Sequence, residues 1–263
     1  MFEQMKMRSF FGGLMLFFVL FFLGIAVFGK PSYDVMQVII MYWFIVLFPL
    51  VWFGWQVFRQ KHSLFVPLTA PTKATIGETL FLFIVLLFFS IGFLWVSDYV
   101  VSLFAPHYLE ASWKEDMPMP ENHLLLVLLL LNASFFSPIA EELIFRGLLF
   151  KRIGAKLSPL WGAIISSLLF SFLHADIIGS FVFGFVLCLF YLKTGNLLLT
   201  IILHILNNSL VTIVPTVPAF MDYDTISEMH ASTIPNLLCF VLSGILLSLY
   251  VKKHWSIFQK TSV

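Results

Sequence analysis

Charged residues are scarce in this sequence of 263 residues, at 11% of the composition, whereas 60% of the residues are hydrophobic. In soluble domains about a quarter of the residues are charged, so the composition excludes an ordinary soluble protein. The formal net charge of +1 provides no basic surface for nucleic acid. We therefore expect an all-α, polytopic integral membrane protein, located in the plasma membrane if the source is bacterial, and no nucleic-acid partner.

Cysteine is rarer still, and both copies, Cys188 and Cys239, lie in apolar runs. Disulfide frameworks are typical of exposed loops in small secreted domains, and catalytic cysteines need a basic neighbour that favours the thiolate. The sequence also contains neither the Gly-x-Ser-x-Gly turn of serine hydrolases nor the His-Glu-x-x-His helix of many zinc proteases. These absences argue against a disulfide scaffold and against a cysteine or serine nucleophile.

Long apolar runs, by contrast, fill most of the chain. A helix that crosses a bilayer needs about 20 apolar residues. The runs predict eight helices, Phe10–Phe28, Val35–Phe58, Leu80–Val96, Leu124–Phe150, Leu160–Leu173, Ile177–Leu192, Leu197–Val214 and Ile234–Val251. The first helix is longer than the apolar core of a signal peptide, so we expect it to be retained. The fourth helix is too long for one straight crossing, and we expect Pro138 to kink or split it. The fifth and sixth helices are short for a membrane span.

The basic residues indicate how these helices are oriented. With the N-terminus inside, twelve of the fifteen Lys and Arg residues fall in inner segments, Lys30 and Lys114 fall outside, and Arg146 lies in the membrane. This asymmetry follows the positive-inside rule and predicts two cytoplasmic termini. We divide the chain into residues 1–120 (three helices and an acidic outer loop), 121–215 (a polar-containing helical core) and 216–263 (outer loop, last helix and tail).

Acidic, basic and histidine side chains inside the predicted membrane region are confined to helices four to seven, together with three asparagines. Ionisable groups in membranes are costly and usually functional, so their confinement to four consecutive helices predicts one site. The set comprises Asn132, Glu141, Glu142, Arg146, His174, His204, Asn207 and Asn208.

Helical spacing assigns partners within this set. Glu142 and Arg146 are i,i+4 and can pair on one face. Glu141 is turned about 100° from Glu142, so it needs a partner on another helix. His204 and Asn208 are also i,i+4 and can point at one place in the bundle.

Distance along the helices raises a difficulty. Glu141 lies about 10–15 Å below the inner surface, whereas His174 lies about 20 Å deep. Straight parallel helices would keep the two side chains apart, so the fifth helix must be tilted or begin late.

Several functions fit these residue types. A Glu and a His can deprotonate water, while His204 and Asn208 donate hydrogen bonds to an oxyanion, which together describe hydrolysis of an acyl bond. Glu141, His174 and His204 are alternatively the ligand set of a catalytic zinc ion. A transporter or proton relay would also use such groups, but no paired repeat is visible. The last alternative is a noncatalytic scaffold, such as an immunity or partner-binding protein.

Three short motifs, in order and each on a predicted membrane helix, resemble the signature of a known family. This is the CAAX-protease and bacteriocin-processing family, also called CPBP or Abi, whose members are intramembrane endopeptidases. The resemblance covers about residues 124–212 of the chain. It is carried by Glu141-Glu142-x-x-x-Arg146, Phe170-x-x-x-His174 and His204-x-x-x-Asn208.

The resemblance implies roles for these residues. Glu141 would be the general base that activates water, assisted by His174, and His204 with Asn208 would stabilise the oxyanion. Glu142, Arg146 and Phe170 would orient the site. The implied substrates are hydrophobic or membrane-associated peptides, of the CAAX type or bacteriocin leaders linked to self-immunity. Family members have been described both with and without a metal; we expect no cofactor, because an Asn beside His204 suits an oxyanion hole better than a zinc sphere, and zinc is the alternative.

Overall fold

The computed structural model describes residues 2, 5–60, 72–114, 119–213, 223 and 225–260. Within these residues all regular secondary structure is helical. The predicted helix end at Val214, and parts of the loops around it, lie outside the described residues. The long helices are α1 (Met7–Phe28), α2 (Tyr33–Met41, Tyr42–Leu47 and Phe48–Gln60), α3 (Lys73–Phe104), α5 (His123–Leu131, Asn132–Phe136, Ser137–Glu141, Glu142–Phe150 and Lys151–Gly154), α6 (Pro159–Ser171), α7 (Ile177–Thr194), α8 (Leu197–Ile213) and α10 (Thr233–His254), and the short ones are α4 (Pro106–Lys114), α9 (Ile226–Ala231) and α11 (Ser256–Lys260).

Each of the eight long helices corresponds to one predicted from an apolar run, and the chain is a multi-pass integral membrane protein. The third prediction, Leu80–Val96, was too short, because α3 runs from Lys73 to Phe104 and thereby also carries Glu78 and Asp98. By length and composition, six of the described helices can cross a membrane, namely α1, α2, α3, α5, α7 and α10. The shorter apolar helices are α6 and α8. The sixth predicted helix is therefore longer than expected, because it continues to Thr194, where Gly195 ends it in the left-handed conformation (φ 64°).

Helix α5 carries the first motif and is not split at Pro138. Instead, it widens to a π-helical hydrogen-bond pattern over Asn132–Phe136 and again over Glu142–Phe150. In the first π segment the Ser137 amide donates to the Asn132 carbonyl, five residues back. Because proline has no N–H to donate, the same pattern cannot continue at Pro138. The π-helical segment Asn132–Phe136 thus accommodates Pro138 without ending the helix.

A tight turn joins α5 to α6. Ser158 caps α6 by accepting a hydrogen bond from the Trp161 amide, and Pro159 occupies the first turn. A Cβ on Gly162 would lie only 2.8 Å from the Phe150 carbonyl oxygen, so the two helices pack backbone to backbone there. They therefore run back along each other from a shared turn. Glu141 and His174 are both about 20 Å of helix from this turn, which removes the predicted mismatch in depth.

Helix α7 lies at the centre of the bundle, and its inner half is almost completely buried. Phe183, Val186 and residues 187–191 form the main core with residues of α3, α5, α6, α8, α10 and α11. Helix α10 packs closely on α3, since a Cβ on Gly92 would lie 2.5 Å from the Phe240 nitrogen. The side chains of α5, α6 and α8 that carry the motifs are thereby held against a rigid centre.

Candidate active site

The buried end of the site is an ion pair within α5. Arg146 Nη1 lies 2.9 Å from Glu142 Oε1, and the two side chains are 1% and 0% exposed. The guanidinium also lies over the Phe170 ring, with Arg146 Cζ 4.3 Å from the ring centroid. Helical spacing predicted this pair, and its burial explains why both members are needed: a buried charge without its partner is strongly destabilising.

His204 of α8 lies between the two adjacent glutamates. Its Nδ1 is 2.9 Å from Glu142 Oε1, a hydrogen-bond distance, and its Nε2 is 3.7 Å from Glu141 Oε2. The imidazole is nearly fully buried, and the Phe183 ring packs on it at 5.0 Å between centroids. Helical spacing assigned Glu142 to Arg146 alone, whereas in the structure His204 contacts Glu142 and also faces Glu141.

Glu141 is held from two sides. The Ser137 hydroxyl donates to Glu141 Oε1 at 2.5 Å from the preceding turn of α5. The other oxygen, Oε2, faces both imidazoles, at 3.7 Å from His204 Nε2 and 3.8 Å from His174 Nε2. The expected partner on another helix is thus present, while the serine was missed. Its i−4 spacing from Glu141 is the signal that could have identified it.

His174 follows the end of α6, where its side chain folds back on the helix. Its Nδ1 lies 2.9 Å from the Phe170 carbonyl oxygen. The Phe170 ring itself is buried and contacts both imidazoles, with centroids 4.3 Å from His174 and 5.8 Å from His204. Phe170 therefore fixes the space between the two rings and Arg146.

Asn208 lies one turn beyond His204 on α8 and also faces α5. Its Nδ2 donates to the Ala133 carbonyl at 3.1 Å. In the π pattern of this segment, the donor for that carbonyl would be residue 138, a proline without an N–H, so Asn208 supplies the missing donor. An amide NH₂ has two hydrogens, and one remains for another acceptor. Two further predicted polar residues are less satisfied, since Asn132 Nδ2 and Asn207 Oδ1 are buried without a hydrogen-bond partner among the described residues.

The contacts of the two histidines assign their tautomers. Each Nδ1 faces an oxygen that can only accept, the Glu142 carboxylate for His204 and the Phe170 carbonyl for His174. In a neutral ring, Nδ1 is then the protonated nitrogen and Nε2 is an acceptor. Glu141 Oε2, which is buried and receives no hydrogen bond within the described part of the chain, faces both of these Nε2 atoms. Two acceptor nitrogens directed at one acceptor oxygen favour a molecule that donates hydrogen bonds between them, such as water.

A zinc ion would require the same three atoms as ligands, but their separations are too large as they stand. Tetrahedral ligands about 2.0 Å from zinc lie about 3.3 Å from each other, compared with the 3.7 and 3.8 Å measured from Glu141 Oε2. Correspondingly, no group of three His, Cys, Asp or Glu side chains is placed to hold a metal ion among the described residues. The anchored Nδ1 atoms would suit metal-binding histidines, yet the carboxylate would first have to move closer to both rings.

Comparisons with known proteins concentrate on this part of the chain. Residues 123–210 match the family described as type II CAAX prenyl endopeptidase Rce1-like. A curated protein of Bacillus subtilis (strain 168), "Putative membrane peptidase YdiL", is 30% identical over 94 residues, which are 35% of this chain and 38% of that protein. The chain thus spans less than two fifths of the length of this relative. No solved structure matches the chain.

The matched segment begins at the start of α5 and ends three residues before the end of α8. It therefore contains all three motifs and every side chain whose contacts form the site described above. Residues 123–210 are thus similar to the Rce1-like CAAX prenyl endopeptidase family, in agreement with the resemblance that the three motifs carry.

Proposed function

We propose that this protein is an intramembrane endopeptidase in which Glu141 activates water for attack on a peptide bond. The observation that carries the proposal is the position of Glu141 Oε2, 3.7 Å and 3.8 Å from imidazole nitrogens that α8 and α6 supply. These separations exceed a direct hydrogen bond, but each can be bridged by a water molecule. Helix packing alone does not require two imidazole nitrogens to face one buried carboxylate oxygen.

In the proposed reaction, the water oxygen attacks the carbonyl carbon of the scissile peptide bond while Glu141 takes one of its protons. The His174 Nε2 accepts the second hydrogen of the water as a hydrogen bond and thereby orients it. Glu141 then delivers its proton to the leaving nitrogen, so that the C–N bond breaks and a carboxyl and an amine are released. Ser137 keeps the carboxylate turned toward the two rings throughout.

The negative charge that develops on the carbonyl oxygen needs donors. Asn208 has one N–H beyond the one that bonds the Ala133 carbonyl. His204 can donate from Nε2 only when its ring carries two protons, and Glu142, at 2.9 Å from Nδ1, supplies the counter-charge. Donors of this type typically contribute a factor of about 10²–10³ to the rate. Glu142 and Arg146 act through His204 and are positioning residues.

The substrates that fit a site inside the bilayer are hydrophobic or membrane-associated peptides. A lipid-modified CAAX-type C-terminus and an apolar leader peptide both belong to this class. We therefore propose the class and use both kinds of peptide as probes.

The direct test is cleavage by the purified full-length protein in lipid vesicles. A panel of farnesylated CAAX-type peptides and apolar leader peptides is incubated with the protein, and products are identified by mass spectrometry. Replacing Glu141 by Gln keeps the size and removes the base, so cleavage should fall by about 10²–10⁴-fold. Glu121→Gln, in the loop before α5, is the matched control and should retain full activity. Equal turnover by the wild type and Glu141→Gln would refute the mechanism.

The zinc-dependent version is the competing proposal for the same site. In it, Glu141, His174 and His204 would bind the ion instead of water alone, and chelators would abolish cleavage. The Asn208 amide one turn from His204 suits an oxyanion hole better than a zinc coordination sphere, and the metal content of the purified protein decides between the two versions.

A further inference from the structure

A second cluster of polar side chains includes none of the motif residues and lies at the predicted inner ends of α3, α7 and α10. Lys193 Nζ lies 2.5 Å from Glu78 Oε1, and the Tyr250 hydroxyl donates to the same oxygen at 2.6 Å. Lys193 Nζ is also 3.3 Å from His254 Nε2. These contacts tie three helices together, and none of the four residues belongs to the site around Glu141.

The cluster forms one end of a pocket of about 370 Å³. This volume is within the range of about 300–1,000 Å³ that is usual for small-ligand pockets. Apart from Lys253, the remainder of its wall is apolar, and Phe81, Leu246 and Leu249 are 38%, 41% and 57% exposed. A pocket that is polar at the membrane edge and apolar toward the bilayer suits an amphiphile. The lining residues are Glu78, Phe81, Lys193, Leu246, Leu249, Tyr250, Lys253 and His254.

The charges in the pocket favour an anion. The Glu78 carboxylate is already compensated by Lys193. An ammonium can only donate, so His254 Nε2 accepts from Lys193, and a neutral imidazole then carries its hydrogen on Nδ1. Lys253 adds a further positive charge with an exposed side chain. The pocket therefore offers two ammonium groups against one carboxylate, and lysine is a common ligand of phosphate.

Neighbouring residues indicate the depth of this pocket in the membrane. Lys252 and the half-exposed Trp255 line an adjoining groove on α10. Tryptophan and lysine are enriched where the hydrocarbon meets the headgroups. The polar end of the pocket is thus level with lipid phosphates, and its apolar wall is level with the acyl chains.

We propose that this pocket binds an anionic phospholipid of the inner leaflet. The lipid phosphate contacts Lys193 and Lys253, and an acyl chain lies along Phe81, Leu246 and Leu249. A lipid fits better than free phosphate because the exposed apolar wall would remain uncovered around an inorganic ion. Basic pockets between membrane helices on the cytoplasmic side bind anionic headgroups in this way. The bound lipid would contact α3, α7 and α10 together and thereby stabilise their packing.

The test measures lipid binding by native mass spectrometry of the full-length protein in detergent. Phosphatidylglycerol, phosphatidylcholine and inorganic phosphate are titrated separately. We expect phosphatidylglycerol to bind more tightly than phosphatidylcholine, and Lys253→Gln to weaken it about fivefold, the effect of about one lysine near an anionic membrane surface. Lys156→Gln, an exposed lysine on the same predicted side of the membrane, is the matched control and should leave the affinity unchanged.

A second variant tests the apolar half of the pocket. Leu249→Trp fills the wall without changing charge and should reduce phosphatidylglycerol binding at least as much as Lys253→Gln. Equal affinity for the two lipids, or equal effects of Lys253→Gln and Lys156→Gln, would overturn the proposal. Inorganic phosphate that competes with the lipid at equal concentration would overturn the choice of a lipid. Neither variant touches the residues around Glu141, so cleavage activity is independent of this result.

Discussion

His204 Nδ1 lies 2.9 Å from Glu142 Oε1, while the opposite side of the same ring faces Glu141. One imidazole therefore connects the buried ion pair of α5 to the carboxylate that is proposed to activate water. Adjacent glutamates on a helix point about 100° apart, and a ring from another helix is wide enough to contact both. This arrangement gives each of the two neighbouring carboxylates a different task.

Ser137→Ala tests whether the hydroxyl positions Glu141. Loss of the 2.5 Å hydrogen bond frees the carboxylate to rotate away from the imidazoles. We expect kcat to fall about tenfold, which corresponds to about 1.4 kcal/mol in the barrier, with little change in KM. Ser137→Thr, which retains the hydroxyl, should recover most of the rate.

The matched control for this variant is Ser134→Ala. The Ser134 hydroxyl donates to the Leu130 carbonyl within the same helix and makes no contact with Glu141. Its removal should leave kcat unchanged. An equal loss at both positions would mean that the serines act on the helix as a whole and would contradict the positioning role.

Arg146→Met tests the buried ion pair. The substitution leaves Glu142 as a buried carboxylate without its guanidinium, which typically costs about 3–5 kcal/mol. We expect a large decrease in the thermal unfolding temperature in detergent. Adding Glu142→Gln to Arg146→Met removes the stranded charge and should restore a substantial part of the stability. A double variant less stable than Arg146→Met alone would show that the glutamate has other essential contacts.

Gly184→Ala tests the space that α7 leaves for the guanidinium. A Cβ there would lie 3.1 Å from Arg146 Nη2 and 3.2 Å from Ser167 Oγ, and the arginine cannot retreat because Glu142 holds it. We expect overpacking to destabilise the protein by about 1–3 kcal/mol. Gly244→Ala on α10 is the comparison, since its Cβ would meet Phe89 at an ordinary 3.8 Å. Both substitutions gain similar helix propensity, so the difference between them reports the close contacts with Arg146 and Ser167.

Metal analysis tests the choice between the two hydrolytic mechanisms. We expect purified protein to contain well below one zinc per chain and to keep its cleavage activity in the presence of a chelator. His174→Ala should leave the metal content unchanged. One zinc per chain that is lost in His174→Ala, together with activity that zinc restores after chelation, would support the metal-dependent version instead.

The sequence predicted the number and approximate positions of the long helices because each contains a long apolar run. It underestimated α3, which runs from Lys73 to Phe104 and includes Glu78 and Asp98 at its polar ends. It predicted the Glu142–Arg146 pair because both residues lie on one helix, where the spacing in sequence determines which side chains are adjacent. It did not predict that α6 ends at Ser171, which leaves His174 beyond the helix, or that His204 contacts both glutamates. Those contacts depend on how α5, α6 and α8 are placed against each other, which no local pattern encodes.

The contact between Asn208 and the Ala133 carbonyl illustrates a different limit. It arises from a π-helical turn just before Pro138. A count of apolar residues reports that a helix exists but not which carbonyl each amide reaches. The amide of Asn208 was therefore interpreted only as an oxyanion donor, whereas in the structure one of its hydrogens also completes the backbone of α5.

The wide turn at Asn132–Phe136 also affects how chains of this kind can change in length. A hydrogen-bonded loop that spans five residues instead of four holds one residue more than a regular turn. Deletion of a single residue there would tighten the turn and leave the direction of Glu141 nearly unchanged. The same deletion between 137 and 141 would swing the carboxylate about 100° around the axis, away from both rings. Alignment gaps among related proteins should consequently concentrate in the wide turn and spare the stretch that follows.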